Sequence, residues 1–579
     1  MNRDFEVITP RPSFLLKVLP LVFGISSGMA QTAATGEAVP QVTYSEQGWS
    51  AADRDVFYTT SQGSRMIPYA WFKALRRLDV DRPFGADQLQ RYGYLSNDRS
   101  KTNPESLPVG FVIDGNASTG DLGMTCAACH TAQLEYQKDG VTRALRLDGG
   151  PANADFQQFL TDLNAASAAT LNQSDRFGAF AKAVLGDGYS AAKAAQLKID
   201  LGAWVKQFGD FMGASLPAPP WGPGRLDAFG MIFNRVAARD LNNPENFRIA
   251  DAPVSYPFLW NASRQDHTQW NGGVPNGSYV QALARNTGEV FGVFATFAPR
   301  KTPPVGIIVY TNNSADFDGL QTLEEKIAVL KPPSWPRDIF GIDDKLAARG
   351  KPLFDANCGA CHGEQPTAGH PQTWITPVDA VGTDPKMVLN SGRTSDPGLF
   401  SGVPLPPPGI GFFSNPAKTH DILAKAVLGS IAAKAFVPQG GVGRALKQDG
   451  LSDLANPFGT AISTLNDLFK PASTAGGAAY EARVLRGIWA TAPYLHNGSV
   501  PSLWELMTPA KQRTSTFMVG SRVFDPKNVG YATDQSPFKS GAFAVDPMNT
   551  NGNGNGGHEF GTTLTVDDRW AIIEYLKTL

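Results

Sequence analysis

Cys126-Ala-Ala-Cys129-His130 and Cys358-Gly-Ala-Cys361-His362 are two copies of one short motif, and they use all four cysteines of the 579-residue chain. In Cys-x-x-Cys-His the two thiols attach a c-type haem covalently, and the adjoining imidazole becomes the proximal ligand of the iron. A redox dithiol or half of a zinc site also needs two cysteines, but neither requires a histidine directly after the second one. The motifs therefore predict two covalently bound haems, attached at Cys126, Cys129, Cys358 and Cys361, with His130 and His362 as iron ligands.

The N-terminus has the layout of a secretory signal. Arg11 and Lys17 precede an apolar stretch at residues 18–25, and the small residues Gly28 and Ala30 precede a cleavage point ahead of Gln31. The stretch is far shorter than the roughly 20 residues of a spanning helix, so we expect no membrane span. The sequence predicts a periplasmic or secreted protein, which agrees with haem attachment on the outer side of the bacterial cytoplasmic membrane.

Composition limits the partners and the fold. The formal net charge of −2 gives no electrostatic reason to expect nucleic acid as a partner. With 59 glycines and 43 prolines, we expect helices joined by long, structured loops. The predicted fold is mainly α, with two cytochrome c-like haem domains, long loops, insertions and sparse β structure. The predicted divisions are a signal peptide at residues 1–30, an N-terminal haem domain with a large insertion at 31–336, and a C-terminal cytochrome c-like haem domain at 337–579.

Two predicted helices flank the second motif. One covers residues 343–354 and leads into Cys358, although Gly350 and Pro352 weaken it. The other covers residues 565–579, with Thr565 as N-cap, acidic residues in its first turn and apolar residues at helical spacing. Such helices form the packed ends of a cytochrome c domain, in which the second axial ligand comes from a loop before the final helix.

That loop is a run of glycine and asparagine that contains His558. Such a run forms neither helix nor strand and can follow a flat ligand closely, so we predict His558 as the second ligand of the C-terminal haem. The alternatives are other histidines or a methionine, because His/Met ligation is common in cytochromes c. They are His496, Met507 and Met518. His370 and His420 are weaker candidates.

The first motif has no comparable second ligand nearby. No histidine occurs between His130 and His267, and Met124 is too close in sequence to reach the other face of a haem. After His130 the chain predicts an extended segment and a tight turn. We therefore expect an open sixth position at this iron, where O2 or peroxide can bind.

Aromatic residues are dense between residues 219 and 297. They are either ordinary core residues or the walls of an apolar pocket at the first haem. The candidates for that pocket are Phe258, Trp260, His267, Trp270, Phe291 and Phe294. A predicted helix over residues 320–330 ends at Pro332 and Pro333, which marks the boundary before the second haem domain.

Several longer motifs resemble a known family. The haem motifs, their wide spacing, the segment Ala492-Pro-Tyr-Leu-His-Asn-Gly-Ser499 and the late histidine loop resemble the bacterial dihaem cytochrome c peroxidase superfamily. Residues 124–131, 148–150, 252–260 and 517–526 are most similar to its rubber-oxygenase-like (RoxA-like) branch. The resemblance implies a mainly helical fold, an active N-terminal haem on His130 with a face free for O2, and a C-terminal haem held by His362 and His558.

The expected function follows from that branch. It is an exported dihaem oxidoreductase that activates O2 at the N-terminal haem and cleaves an apolar unsaturated, polyisoprenoid-like small molecule or polymer. One alternative is a dihaem peroxidase that reduces H2O2, with His267 or a glutamate as acid–base group and a small cytochrome or cupredoxin as electron donor. The other is an electron-transfer dihaem cytochrome with both irons saturated. Calcium occurs between the haem domains of peroxidase relatives, but no acidic cluster in this sequence predicts a site.

Overall fold

The computed structural model describes residues 40–265, 267–302, 307–363, 374–406, 409–434, 439–450 and 479–579. The predicted signal peptide and the candidate ligand His370 lie outside these ranges. Residues 41–579 cluster into one compact unit. The predicted division between residues 336 and 337 stays a prediction. None of the described helices is both long and apolar enough to cross a membrane.

The α-helices vary from single turns to a 25-residue helix. They are Ala51–Thr59, Tyr69–Ala74, Phe156–Asn172, Ser174–Leu185, Ala191–Ser215, Ala228–Phe233, Tyr279–Gly292, Phe317–Ile327, Arg337–Phe340, Asp344–Asn357, Gly359–His362, Val378–Val381, Lys386–Ser391, Thr419–Ala432, Gly441–Gln448, Leu503–Leu506 and Val566–Leu576. A π-helix, Asn234–Asp240, directly follows Ala228–Phe233. The predicted helix over residues 320–330 corresponds to Phe317–Ile327.

The strands form two three-stranded and seven two-stranded sheets within the described ranges. The larger sheets are Gln41–Tyr44 with Val141–Asp148 and Thr131–Lys138, and Ile67–Pro68 with Asp121–Met124 and Phe111–Asp114. The strand pairs are Arg225–Leu226 with Val254–Ser255, His267–Thr268 with Val274–Pro275, Arg300–Thr302 with Ile307–Val309, Trp374–Pro377 with Ala479–Ala482, Thr394–Ser395 with Ala417–Lys418, Thr516–Met518 with Ala542–Ala544, and Phe524–Asp525 with Gly530–Tyr531.

The predicted fold class, mainly α with two cytochrome c-like haem domains and sparse β structure, is wrong. About 41% of the described residues are helical and about 15% lie in strands, which are spread over many small sheets. The physical reason is clearest after the first motif, where Thr131–Lys138 pairs with Val141–Asp148 across a two-residue turn. Asp139 and Gly140 both have positive φ in that turn, which is the geometry that closes a hairpin. The first motif is therefore followed by a hairpin, so the extended segment expected after His130 belongs to a sheet and not to a mainly α domain.

The C-terminal helix packs against the helix that leads into the second motif. Thr565 caps Val566–Leu576 as predicted, and its hydroxyl accepts the N–H of Asp568 at 3.2 Å. Gly350, inside Asp344–Asn357, lies so close to this helix that a Cβ there would be 1.9 Å from the carbonyl oxygen of Ala571. The glycine that weakens the helix in isolation therefore allows the two helix backbones to approach.

We predict that Gly350→Ala destabilises the protein. The added methyl group meets backbone atoms that cannot rotate away, so the helices must separate, at a cost of at least about 1–3 kcal/mol in the free energy of unfolding. Gly213→Ala is the matched control, because Gly213 is also helical and has no atom within 4 Å of an added Cβ. Guanidinium unfolding of the haem-loaded protein should show a loss for Gly350→Ala only. Equal stability of the two variants contradicts the close approach.

Candidate haem sites

The first motif begins in the 3-10 turn Cys126–Ala128. The Nδ1 atom of His130 lies 2.8 Å from the carbonyl oxygen of Pro257. A carbonyl oxygen only accepts, so Nδ1 carries the hydrogen and Nε2 keeps a lone pair for a metal. Burial lowers the pKa of His130 to about 4 and so keeps the ring neutral. Burial also raises the pKa of Cys126 and of Cys129 to about 12, which does not suit a redox dithiol.

The second motif has the same arrangement of its histidine. Cys358 precedes the short helix Gly359–His362, and Nδ1 of His362 donates to the carbonyl oxygen of Arg483 at 2.7 Å. Burial lowers the pKa of His362 as well. Both motif histidines are therefore neutral, are oriented by a backbone carbonyl, and present Nε2 to a metal. None of the four cysteines forms a disulfide, which leaves every thiol available for haem attachment.

His558 faces His362. The two ring centroids are 6.2 Å apart, and the ring planes differ by 48°. If both rings bound one metal ion, each metal–nitrogen bond would be about 2 Å long. With the distance from each nitrogen to its ring centre added, the two centroids would also lie about 6 Å apart. The Nδ1 atom of His558 is buried without a hydrogen-bond partner among the described residues. Burial lowers the pKa of His558 to about 3, with smaller contributions from His362 and Arg513. The residues present fit an iron between two neutral imidazoles.

Polar groups from distant segments hold the glycine–asparagine loop that precedes His558. A carboxylate oxygen of Asp384, which is fully buried, accepts the N–H groups of Gly552 and Gly554 at 2.9 and 3.0 Å. The side-chain amide of Asn497 donates to the carbonyl oxygens of the same two glycines. Side chains from other segments therefore hold the backbone of this loop.

Arg513 orients the end of this loop. Its guanidinium donates to the carbonyl oxygens of Asn555, Gly557 and His558 at 2.5, 3.0 and 3.2 Å. His558 has a left-handed backbone with φ +50°, a conformation that costs free energy unless its surroundings hold it. Neither Arg513 nor Asp384 was identifiable from the sequence, because only the fold brings these residues to the loop.

The alternative ligands have different surroundings. His496 and Met507 line the same cavity of about 380 Å³ as His362 and His558. The His496 ring stacks on Tyr480, with centroids 4.1 Å apart. Met518 lies in the strand Thr516–Met518, and the partly exposed His420 lies beside Asp421; neither lines the cavity. The facing geometry favours His558, whose role as ligand stays a prediction.

A second cavity, of about 170 Å³, adjoins the first motif and is lined by Cys126, Cys129 and His130. Of the six candidates for its pocket, Phe258 and Trp270 line it. The other four lie elsewhere: Trp260 stacks on Phe258, Phe291 packs on Phe297, Phe294 packs near Phe208 and Phe211, and His267 lies in the strand His267–Thr268. A catalytic role for any of the six stays a prediction.

Sequence reasoning missed a polar pair in this cavity. The side-chain amide of Gln269 donates to Oε1 of Glu289 at 2.8 Å, and both residues line the cavity with His130. Burial raises the pKa of Glu289. Gln269 lies in a turn with φ +68°, and Glu289 lies on the helix Tyr279–Gly292. The only signal was that Glu289 is the one acidic residue of that helix, and nothing pointed to its partner.

The comparisons with known proteins agree with this chemistry. Residues 479–518 match the family described as RoxA-like, cytochrome c-like. "Uncharacterized protein y4iJ" of Sinorhizobium fredii is 32% identical over 605 residues, which covers 93% of this chain and 94% of that protein. This chain belongs to the RoxA-like, cytochrome c-like family. A second Sinorhizobium fredii protein, "Uncharacterized protein y4iM", is 28% identical over 63% of this chain and 73% of its own length.

Membership of the RoxA-like family indicates covalently bound c-type haem and a haem-containing oxidoreductase. The matched residues include Arg483, whose carbonyl group orients His362, and also His496 and Asn497. In this RoxA-like protein the family signal therefore falls on the surroundings of the second motif.

We predict that Arg513→Met loosens the loop before His558. The substitution leaves buried carbonyl groups without donors, and each costs about 1–3 kcal/mol. Hydrogen exchange of the amides at residues 549–560 should accelerate by at least about tenfold, since about 1.4 kcal/mol of lost protection corresponds to a factor of ten.

Arg569→Met is the control for that experiment. Arg569 lies over the Trp504 ring and donates to the carbonyl oxygen of Met507, but it has no hydrogen bond to the loop. It should leave exchange at residues 549–560 unchanged. Unchanged exchange in Arg513→Met means that Arg513 does not hold the loop.

Proposed function

We propose that this RoxA-like protein is an exported dihaem oxidoreductase. In this proposal the haem at His130 activates O2 for oxidation of an apolar unsaturated, polyisoprenoid-like substrate, and the haem at His362 and His558 transfers or stores electrons. The observation that carries the proposal is the asymmetry between the motifs. His362 faces a second histidine at 6.2 Å, whereas the described residues that line the His130 cavity include no other histidine.

The asymmetry matters because ligand number decides what a haem does. Two axial side chains favour electron transfer, and an open position favours binding of O2 or peroxide. Other residues of the His130 cavity are also of types that bind haem iron: Met231 and Met124 are buried on its wall, and the Tyr256 ring lies 6.1 Å from the His130 ring. Met124 is too close in sequence to His130 to reach the other face of a haem. The first test therefore includes Met231.

The walls of the His130 cavity support an apolar substrate. Apolar side chains contribute much of the lining, namely Phe156, Leu226, Met231, Ile232, Val254 and Phe258. Each substrate methylene that leaves water against such a wall contributes about 0.8 kcal/mol. A long hydrocarbon can therefore bind without a charged anchor.

The Gln269–Glu289 pair supplies a proton to this cavity. The side-chain amide of Gln269 donates a hydrogen bond to Oε1 of Glu289. Burial raises the pKa of this carboxyl group, which favours a proton on the other oxygen, Oε2. When bound, the haem supplies the iron at which an oxidant is reduced. Gln269 orients the carboxyl group, Glu289 provides the proton for a reduced oxygen atom, and the apolar walls exclude water.

The same pair favours a second candidate function, reduction of H2O2. Cleavage of a peroxide O–O bond needs an acid–base group near the oxygen atoms, and Glu289 supplies one. A peroxidase also needs an electron donor, for which we propose a small cytochrome or cupredoxin. Either function requires export, because bacterial c-type haems are attached outside the cytoplasm.

We predict that the reduced wild-type protein carries two haems and binds one CO. Intact mass gives the number of haems, and CO difference spectra give the number of open irons. His558→Ala should bind two CO molecules, because it opens the second iron, and His496→Ala should still bind one. Two CO molecules in His496→Ala overturn the ligand assignment.

Met231→Leu completes that experiment. It should also bind one CO, since we place no ligand at this position. A wild-type protein that binds no CO while Met231→Leu binds one identifies Met231 as a ligand. That outcome assigns both haems to electron transfer and removes the oxygenase proposal.

Steady-state assays separate the two candidate functions. We expect O2 uptake with squalene or polyisoprene without added reductant, and slow turnover of H2O2 with a reduced small cytochrome. Glu289→Gln should lower the rate of the faster of these two reactions by about 10²-fold, a usual contribution of a positioned acid. The control Glu325→Gln changes a partly exposed glutamate that does not line the cavity and should have little effect. Rapid peroxide turnover without O2 uptake on any alkene establishes the peroxidase instead.

A further inference from the structure

The cavities of the two motifs share one wall. Among the residues that the structure describes, five line both of them: Ser255, Tyr256, Phe258, Trp270 and Arg483. Arg483 is the only one of the five with a charged side chain, and it is 6% exposed. A guanidinium keeps its proton in proteins, so a permanent positive charge lies between the two sites.

Arg483 is hydrogen-bonded to His362 and to the chain segment that orients His130. Its backbone carbonyl accepts from Nδ1 of His362 at 2.7 Å. Its Nη2 atom donates to the carbonyl oxygen of Phe258 at 3.0 Å. The preceding residue, Pro257, accepts from Nδ1 of His130 at 2.8 Å. One residue therefore joins the chain segments that orient both imidazoles.

Aromatic rings hold the guanidinium in this wall. Its central carbon lies 4.1 Å from the centroid of the Phe258 ring and 5.8 Å from that of Trp270. The amide oxygen of Gln265 accepts a further hydrogen bond at 3.2 Å. Because Arg483 is buried, solvent screens its charge weakly.

We propose that Arg483 is a positioning residue that raises the reduction potentials of both haems together. The inference rests on the proposed dihaem function. Each reduction adds one electron to a site and lowers its net charge by one, so a fixed positive charge nearby favours the reduced form. Because Arg483 lines both cavities, its charge acts on both equilibria.

Spectroelectrochemical titration of the haem-loaded protein with redox mediators tests this inference. Arg483→Met removes the charge, and both midpoint potentials should shift to lower values. Arg483→Lys keeps the charge but loses the planar fork, so both potentials should shift less in the same direction.

Arg235→Met is the matched control. Arg235 is also buried, donates to the backbone carbonyls of Phe291 and Ala295, and lies near the Phe211 and Phe294 rings, but it lines neither cavity. Its loss disturbs the core in a similar way and should leave both potentials unchanged.

The outcomes separate this inference from the proposed function. A protein with two haems and one CO site whose potentials do not move in Arg483→Met overturns the inference and leaves the function intact. A shift at one haem only, or an equal shift in Arg235→Met, also overturns it. A wild-type protein that binds no CO overturns the proposed oxygenase, while a paired shift in Arg483→Met still establishes the role of Arg483.

Discussion

Both sites depend on a hydrogen bond from a histidine ring to a backbone carbonyl that is distant in the sequence. His130 donates to Pro257 and His362 donates to Arg483. A neutral hydrogen bond of this kind contributes only about 1 kcal/mol to stability, but it decides which ring nitrogen keeps a lone pair. Neither imidazole is oriented until the segments around Pro257 and Arg483 are in place. The haem sites and the fold between them therefore form as one structure.

A related constraint places His558. A loop of glycine and asparagine buries almost no apolar surface, so the hydrophobic effect cannot fix it. A carboxylate, an amide and a guanidinium hold it instead, from Asp384, Asn497 and Arg513. Buried polar groups with partners on every side favour one conformation strongly, because each broken contact leaves an unpaired group. An irregular segment can thereby hold an imidazole at a defined distance from another.

The sequence predicted those features that depend on residues close together in the chain. The haem motifs, the Thr565 cap and the glycine–asparagine loop are of this kind, and the structure contains the helix and the loop where they were predicted. The fold class failed because many short strands, such as the pair Arg225–Leu226 and Val254–Ser255, arise where distant loops meet. The Gln269–Glu289 pair was missed for the same reason, since its members belong to a turn and a helix that only tertiary packing brings together.

The two motifs show why a haem cofactor is easier to predict from the sequence than the reaction that takes place at it. Their proximal histidines are arranged alike, so the chemistry of each haem depends on what the fold places on its other side. Of the residues that line the His130 cavity, Arg483 alone lies within the family match at residues 479–518, and it also lines the other cavity. The match therefore carries information about the second site and almost none about the first. Function resides in the site and not in the fold, so the reaction has to be argued from Gln269, Glu289 and the apolar wall beside His130.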